Sequence, residues 1–213
     1  MGPGAINEHK ERFHDLLFRY SSEPNPAARD ALEATLWNEF GAEKVVLVLD
    51  MSGFSRLTQR HGIVHYLSMV RRMQLTAEPV VETHKGVVVK FEADNCFAMF
   101  EDSLSAVQCA IGLNLAFDSA NIVTPVELDI HVSVGIDRGK VLVVDNYLEF
   151  FGNAVNCASK LGEDGARPGE ILVTKDVADT IPASARIELK PITISVSGIE
   201  IDGYSVLYRK SAA

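Results

Sequence analysis

Two acidic residues carry the first sign of chemistry. Asp50 closes the apolar run Val45, Val46, Leu47, Val48, Leu49 and is followed by Met51, Ser52, Gly53, Phe54 and Ser55. Such a run predicts a buried strand, and the glycine turn after it predicts the entry to a helix. A carboxylate fixed there lies beside the backbone amides of a turn and a helix N-terminus, which together can hold a cation and the phosphates it bridges. Alone, Asp50 is more simply a helix cap. Asp94 changes that balance, because it sits at the tip of a predicted hairpin, Glu92, Ala93, Asp94, Asn95, between strands at residues 87–91 and 96–100. Two carboxylates on adjacent strand ends can bind a pair of hard cations about 3.5 to 4 Å apart. Mg²⁺ favours this kind of site, with few carboxylates plus substrate phosphates. Further along, Asn156 and Lys160 lie four apart in a helical stretch at residues 152–161, so they share a face and can reach one ligand.

The elements that must position these residues follow from periodicity. Phe13, Leu16, Leu17 and Tyr20 have helical spacing, residues 21–26 break it, and Leu32, Leu36, Trp37 and Phe40 resume it. This predicts a helical pair in an N-terminal segment, residues 1–42, ahead of a main domain at residues 43–213. Residues 54–84 are helical with a division near Gly62, and a further helix covers 103–117. Residues 128–136 and 141–144, around Asp137, Arg138 and Gly139, predict a second hairpin. Short strands at 170–173 and 204–208 flank a small helix opened by Thr174 and Asp176. Hairpins interleaved with helices give an α+β, two-layer sandwich whose sheet is mostly antiparallel, not a doubly wound parallel sheet.

Composition narrows the chemistry. The 213 residues carry 47% hydrophobic content and a net charge of −9, a sign that opposes broad attraction to nucleic acid or an anionic membrane. No stretch approaches the ~18 consecutive apolar residues of a membrane span, and no apolar signal core opens the chain. Cys96, Cys109 and Cys157 are widely spaced among apolar neighbours, which points to a reducing, cytoplasmic setting. Gly139 and Lys140 are followed by Val141, so there is no Walker A loop, and no glycine fingerprint follows the first strand. No Cys/His quartet has zinc spacing.

Three motifs, in order, resemble the catalytic domain of class III adenylyl and guanylyl cyclases over residues 44–208. They are Leu49 to Ser55; Lys90, Phe91, Glu92, Ala93, Asp94; and Glu149, Phe150, Phe151, Gly152, Asn153, Ala154, Val155, Asn156, Cys157, Ala158, Ser159, Lys160. The resemblance implies a ferredoxin-like core and a reaction in which a ribose 3′-hydroxyl attacks the α-phosphate and expels pyrophosphate, with two Mg²⁺ or Mn²⁺ ions per site. It gives Asp50, Asp94 and the Met51 carbonyl to the metals, and Gly53, Phe54, Ser55 and Lys140 to the phosphates. Lys90 and Glu149 would read the base, Asn156 would orient the ribose, and Lys160 would stabilise charge on the transferring phosphoryl group. It further implies a head-to-tail homodimer with the site at its interface, and an upstream regulatory domain.

An ammonium and a carboxylate suit adenine, which offers an acceptor at N1 and a donor at N6. The expected activity is therefore ATP to cyclic AMP. The alternatives are a cyclase for GTP or a pyrimidine triphosphate, and a cyclase-like module without catalysis that dimerises or senses nucleotide. Four positions depart from the family pattern: Glu149 replaces aspartate, Lys160 replaces arginine, Ala93 replaces glycine, and Ile199 stands roughly where a lysine is common.

Overall fold

The computed structural model describes residues 3–53, 61–144, 149–196 and 199–209. Two helices come first, α1 (Pro3–Ser22) and α2 (Pro26–Phe40). The Asn25 side chain accepts from the amides of Ala27 and Ala28, and Pro26 opens α2 where its missing N–H costs nothing. Strand β1 (Gly41–Met51) follows, then α3 (Ile63–Thr83), β2 (Val87–Glu92), β3 (Asn95–Phe100), α4 (Ser103–Asn121) and β4 (Val132–Val144). The β4–β1–β3–β2 order of these strands, all antiparallel neighbours, gives the expected ferredoxin-like core. Beyond β4 the sheet continues through β6 (Ile171–Thr174), β8 (Ile199–Leu207) and β7 (Glu188–Val196), with β5 (Glu149–Phe151) paired to β4. Only the β4–β6 pair is parallel among the described strands. Gly62, with φ 84, immediately precedes α3, and the earlier part of the helical stretch expected over residues 54–84 lies outside the described residues.

The unbroken apolar run of β1 is explained by burial on both faces. Val45, Leu47, Leu49 and Met51 pack under α3 and α4 against Met69, Met73, Ala110, Leu113 and Phe117. Val46 and Val48 face the other way, into Phe97, Met99, Val141, Phe150 and the alanines of α5 (Asn153–Ser159). A third cluster joins Phe13 and Leu16 of α1 and Leu36 and Phe40 of α2 to Val144 at the far end of β4.

One expectation fails. Residues 128–144 do not form a hairpin; β4 runs straight through Asp137, Arg138 and Gly139, which pair with Val46, Val45 and Lys44 of β1. The polar triplet is absorbed within the sheet. Buried Asp137 accepts from the Thr174 hydroxyl (2.5 Å) and the Arg138 amide (2.7 Å), and Arg138 pairs with Glu43 (2.7 Å). The hairpin partner of this stretch is instead β5. Strand β7 was not expected; the small helix Lys175–Ala178 after β6 was. Among the described residues no helix is long and apolar enough to cross a membrane.

Candidate active site

Asp50 is the penultimate residue of β1, opposite Asn95 on β3 and Ser133 on β4. The alternation that buries Val46 and Val48 against α5 puts Asp50 on that same face. Asp94 is brought beside it by the two-residue turn between β2 and β3: Glu92 pairs with Asn95, and the Met51 amide donates to the Asp94 carbonyl at 3.1 Å. The turn is held open by Ala93 in the left-handed region, φ 52, where a side chain is disfavoured. After β1 the chain turns at Gly53, φ 90, a value that favours glycine, while the Ser52 amide is tied to the His131 carbonyl at 2.9 Å. Phe54 and Ser55 lie outside the described residues, so the phosphate turn is in view only as far as Gly53.

The sequence did not single out the acidic partners that arrive from below α5. After Ser159 the helix widens into a π turn, Lys160–Gly165, with the Ala166 amide donating to the Leu161 carbonyl at 2.8 Å. It lies directly on the sheet because two glycines let it: a Cβ on Gly135 would meet the Ala158 carbonyl oxygen at 2.1 Å and the Gly162 nitrogen at 2.4 Å. That approach sets Glu163 and Asp164 close enough to act on Asp50. Burial, then Asp94, Glu163 and Asp164 in that order, push the Asp50 carboxyl up to about 7. Burial also raises Asp94, and burial with Asp164 raises Glu163, against a hydrogen bond from Ser159. The charges that act on Asp50 are thus acidic, and Asp50 and Asp94 carry hard carboxylate oxygens. Asp50 and Asp94 offer oxygens that fit a divalent Mg²⁺ or Mn²⁺ ion, while Glu163 and Asp164 act on Asp50 from farther off, since among the described residues no three acidic, His or Cys side chains converge to hold one ion. A π widening next to such a cluster is a feature that periodicity over residues 152–161 could not reveal, although Gly162 and Gly165 were visible in the sequence.

The other expected residues are placed as follows. Lys90 on β2 lies opposite Phe97, pairs with Glu92, and holds its ammonium 4.8 Å from the centre of the Phe97 ring. Phe97 in turn meets Phe150 edge to face at 6.0 Å. Phe150 is therefore on the Lys90 side of the sheet, while its neighbour Glu149 turns to α1 and pairs with Lys10. Asn156 is exposed on α5, and the Lys160 amide, closing that helix, donates to the Asn156 carbonyl, so the two residues stack one turn apart as their spacing predicts. Lys140 lies opposite Glu43, well along β4 from Ser133, and lines a shallow groove with Glu43, Arg138, Asp176 and Asp179. A single chain thus brings Asp50, Asp94 and the Met51 backbone together, and brings Asn156 next to Lys160. It does not assemble Lys90 with Glu149, nor Lys140 with the aspartates.

The sequence profile of the adenylate and guanylate cyclase catalytic domain matches residues 41–206. A curated relative, "Putative adenylate cyclase 3" of Rhizobium meliloti (strain 1021), is 29% identical over 143 residues, 67% of this chain and 24% of its own length. The chain thus spans about a quarter of that relative. Among solved structures, the guanylyl cyclase Cya2 superposes with a TM-score of 0.69 at 20% identity, covering 81% of this chain and 98% of its own. An adenylate/guanylate cyclase/hydrolase from Silicibacter pomeroyi gives 0.67 at 24% identity, covering 79% and 98%. The adenylyl cyclase CyaB from P. aeruginosa gives 0.62 at 20%, covering 81% and 98%. These likenesses carry the fold, and the profile match over most of the chain carries the family: the chain belongs to the adenylate and guanylate cyclase catalytic domain family, whose members are nucleotide cyclases that use divalent metals.

Proposed function

We propose that this chain is an adenylyl cyclase that converts ATP to 3′,5′-cyclic AMP and pyrophosphate at the interface of a head-to-tail homodimer. The observation that carries the reading is the junction at the end of β1, where the Met51 amide binds the Asp94 carbonyl and so sets two carboxylates side by side on one face. Asp50, Asp94 and the Met51 carbonyl would hold two Mg²⁺ or Mn²⁺ ions. Ions held there would supply a lowered pKa for the ribose 3′-hydroxyl and positive charge against the triphosphate.

The chain's own residues supply the rest. The turn at Gly53, with Phe54 and Ser55, offers amides to the phosphates, and Lys140 a positive charge. Lys90 donates to adenine N1, and Glu149 accepts from N6. Asn156 orients the ribose so that its 3′ oxygen attacks the α-phosphorus in line with the departing pyrophosphate; the O3′–Pα bond forms as the Pα–O bond to pyrophosphate breaks, and the 3′ proton passes to solvent water. Lys160 places its ammonium against the charge that builds on the α-phosphoryl oxygens. In the dimeric site each protomer would lend its metal end to the other's base-reading side. The helical segment at residues 1–42 is proposed as the regulatory element of the domain at 43–213.

The test is product analysis by mass spectrometry after separate incubation with ATP, GTP, CTP and UTP, each with Mn²⁺ or Mg²⁺. Cyclic AMP from ATP alone is expected. Another cyclic product would overturn the base reading and keep the metal site, and no product from any of the four would favour the non-catalytic module.

A further inference from the structure

Resting on the adenylyl cyclase reading, we propose that Lys10 is an internal competitor for the adenine ring: it occupies the Glu149 carboxylate, and ATP must displace it. Three observations converge on this pair. First, Lys10 and Glu149 form an ion pair across 139 positions of sequence, with both side chains about one-third exposed and so within reach of an incoming ligand. Second, the contact is set by a packed neighbour: Phe13, one turn along α1, stacks on Phe151 at 5.9 Å with ring planes 9° apart, and Phe13 itself is buried against Phe40 at 5.0 Å. Lys10 is thereby delivered by a docked helix. Third, β5 alternates, so Phe150 joins the cluster beneath Lys90 while Glu149 and Phe151 face α1. Within one chain the lysine and the carboxylate that would read adenine therefore lie on different faces of the sheet, and it is the carboxylate alone that α1 covers.

The chemistry of the exchange is simple. The exocyclic amine of adenine donates to a carboxylate, as the Lys10 ammonium now does, so the two compete for Glu149. Lys10 holds the Glu149 carboxyl below its usual range, so Glu149 is a carboxylate while the pair stands. Because α1 is anchored on α2 and on Leu142 and Val144, anything that lifts the helical pair frees Glu149, and anything that seats it more firmly weakens ATP binding. The affinity for ATP is then a property of the N-terminal helices as much as of the catalytic domain.

The experiment uses the full chain with Lys10→Gln, Lys10→Arg and Glu149→Gln, and the Lys10→Gln/Glu149→Gln double variant. Binding is read by calorimetry with 3′-deoxy-ATP, which lacks the nucleophile, and turnover by cyclic AMP formation. Lys10→Gln should tighten 3′-deoxy-ATP and lower KM for ATP by about two- to five-fold, the scale of a partly exposed ion pair, with kcat little changed. Lys10→Arg, which restores the cation, should return toward the parent value, and in the Glu149→Gln background Lys10→Gln should have no further effect. Unchanged or weaker nucleotide binding in Lys10→Gln, with cyclic AMP still formed, overturns the competitor role and leaves the cyclase reading standing. Absence of cyclic AMP from both parent and Lys10→Gln removes the cyclase reading and the competitor with it.

Discussion

The two ends of the catalytic sheet treat their carboxylates in opposite ways. At the β1 end, burial and the neighbouring acids Asp94, Glu163 and Asp164 raise the Asp50 carboxyl, and burial with Asp164 raises Glu163. At the β5 end, Glu149 is answered by Lys10 within the same chain, and its carboxyl is lowered. The first end holds repulsion that protonation or an added cation would release; the second is already neutralised. A site for metal and a site for a neutral base should differ in this way, because a resident lysine would exclude the ion at the first, whereas at the second it can be exchanged for a donor from the ligand.

The largest break in the comparison comes from removing the acidic end. Asp50→Ala or Asp94→Ala should each reduce metal-dependent cyclic AMP formation by on the order of 10³-fold, since several kcal/mol of charge stabilisation depend on the ions. Turnover surviving in either variant would separate the acidic cluster from the chemistry. The same change should act on stability with the opposite sign. Without metal, Asp50→Asn removes a buried, crowded charge and should raise the unfolding free energy by roughly 1 kcal/mol after allowing for solvent screening, measured by urea unfolding in EDTA at pH 8. An enzyme that is stabilised as it is inactivated is the signature of a site strained for function.

A second way to break the comparison is mechanical. Gly135→Ala should cost about 2 to 3 kcal/mol, because its Cβ would collide with the Ala158 carbonyl at 2.1 Å, an atom of backbone that cannot swing aside. Since Gly135 also seats the π turn, the variant should lose metal affinity as Glu163 and Asp164 retreat. A Gly135→Ala protein with parental urea midpoint and parental Mn²⁺ binding would show that the π turn does not depend on this approach.

How far the sequence reaches differs between these features. The core strands were legible because β1 is apolar on both faces and α3 and α4 carry long periodic stretches, and the Glu92 to Asn95 turn was legible from its composition. Asp137, Arg138 and Gly139 misled, because turn composition is a statement about local preference, and here Thr174 and Glu43, distant in sequence, satisfy the polar groups inside a continuous strand. Strand β7 escaped because it is a sheet-edge strand with Pro191 in its middle and alternating exposure without a buried face. The π turn, and with it Glu163 and Asp164, depends on a glycine on another strand. The Lys10 and Glu149 pair has no local signal at all. Asp50 and Asp94, the proposed metal ligands, lie at a strand terminus and a turn, where sequence speaks clearly; Lys10 and Glu149 are joined only by packing.

The pH dependence sharpens the contrast. Asp50 has a folded-state value of about 7 against an ordinary 3.8, so its protonated form favours the fold. That contribution is complete below pH ~4 and is lost as pH rises to about 7 and beyond. A divalent ion that binds the ionised pair should therefore raise Tm more at pH 8 than at pH 5.5, a difference that thermal unfolding with and without Mn²⁺ would measure. An equal increment at both values would mean that the ion does not bind the titrating carboxylates. Lys160→Arg gives a smaller change: if Lys160 faces the reacting phosphoryl group, the planar fork should raise kcat by up to about tenfold, while Lys160→Ala should lower it. A kcat indifferent to both would take Lys160 out of the reaction.

The smallest effect lies at Ala93, and it isolates the geometry of the metal end from its charge. Ala93 holds φ 52 in the turn that presents Asp94. A residue with a Cβ in that region loses about 1 kcal/mol relative to glycine. Glycine, however, gives the unfolded chain about 0.4 to 1 kcal/mol of extra conformational freedom. The two nearly cancel, so Ala93→Gly should leave the urea midpoint within about 0.5 kcal/mol of the parent, on the stabilising side if the folded-state strain dominates. Metal affinity discriminates further. If the turn is held in place by the pairing of Glu92 with Asn95 and by the Met51 amide on the Asp94 carbonyl, Mn²⁺ binding should be unchanged in Ala93→Gly, because those contacts do not involve the Ala93 side chain. A marked loss of affinity with an unchanged midpoint would instead mean that the stiffness of alanine keeps Asp94 aimed at its ligand, and that the strained residue pre-organises the site.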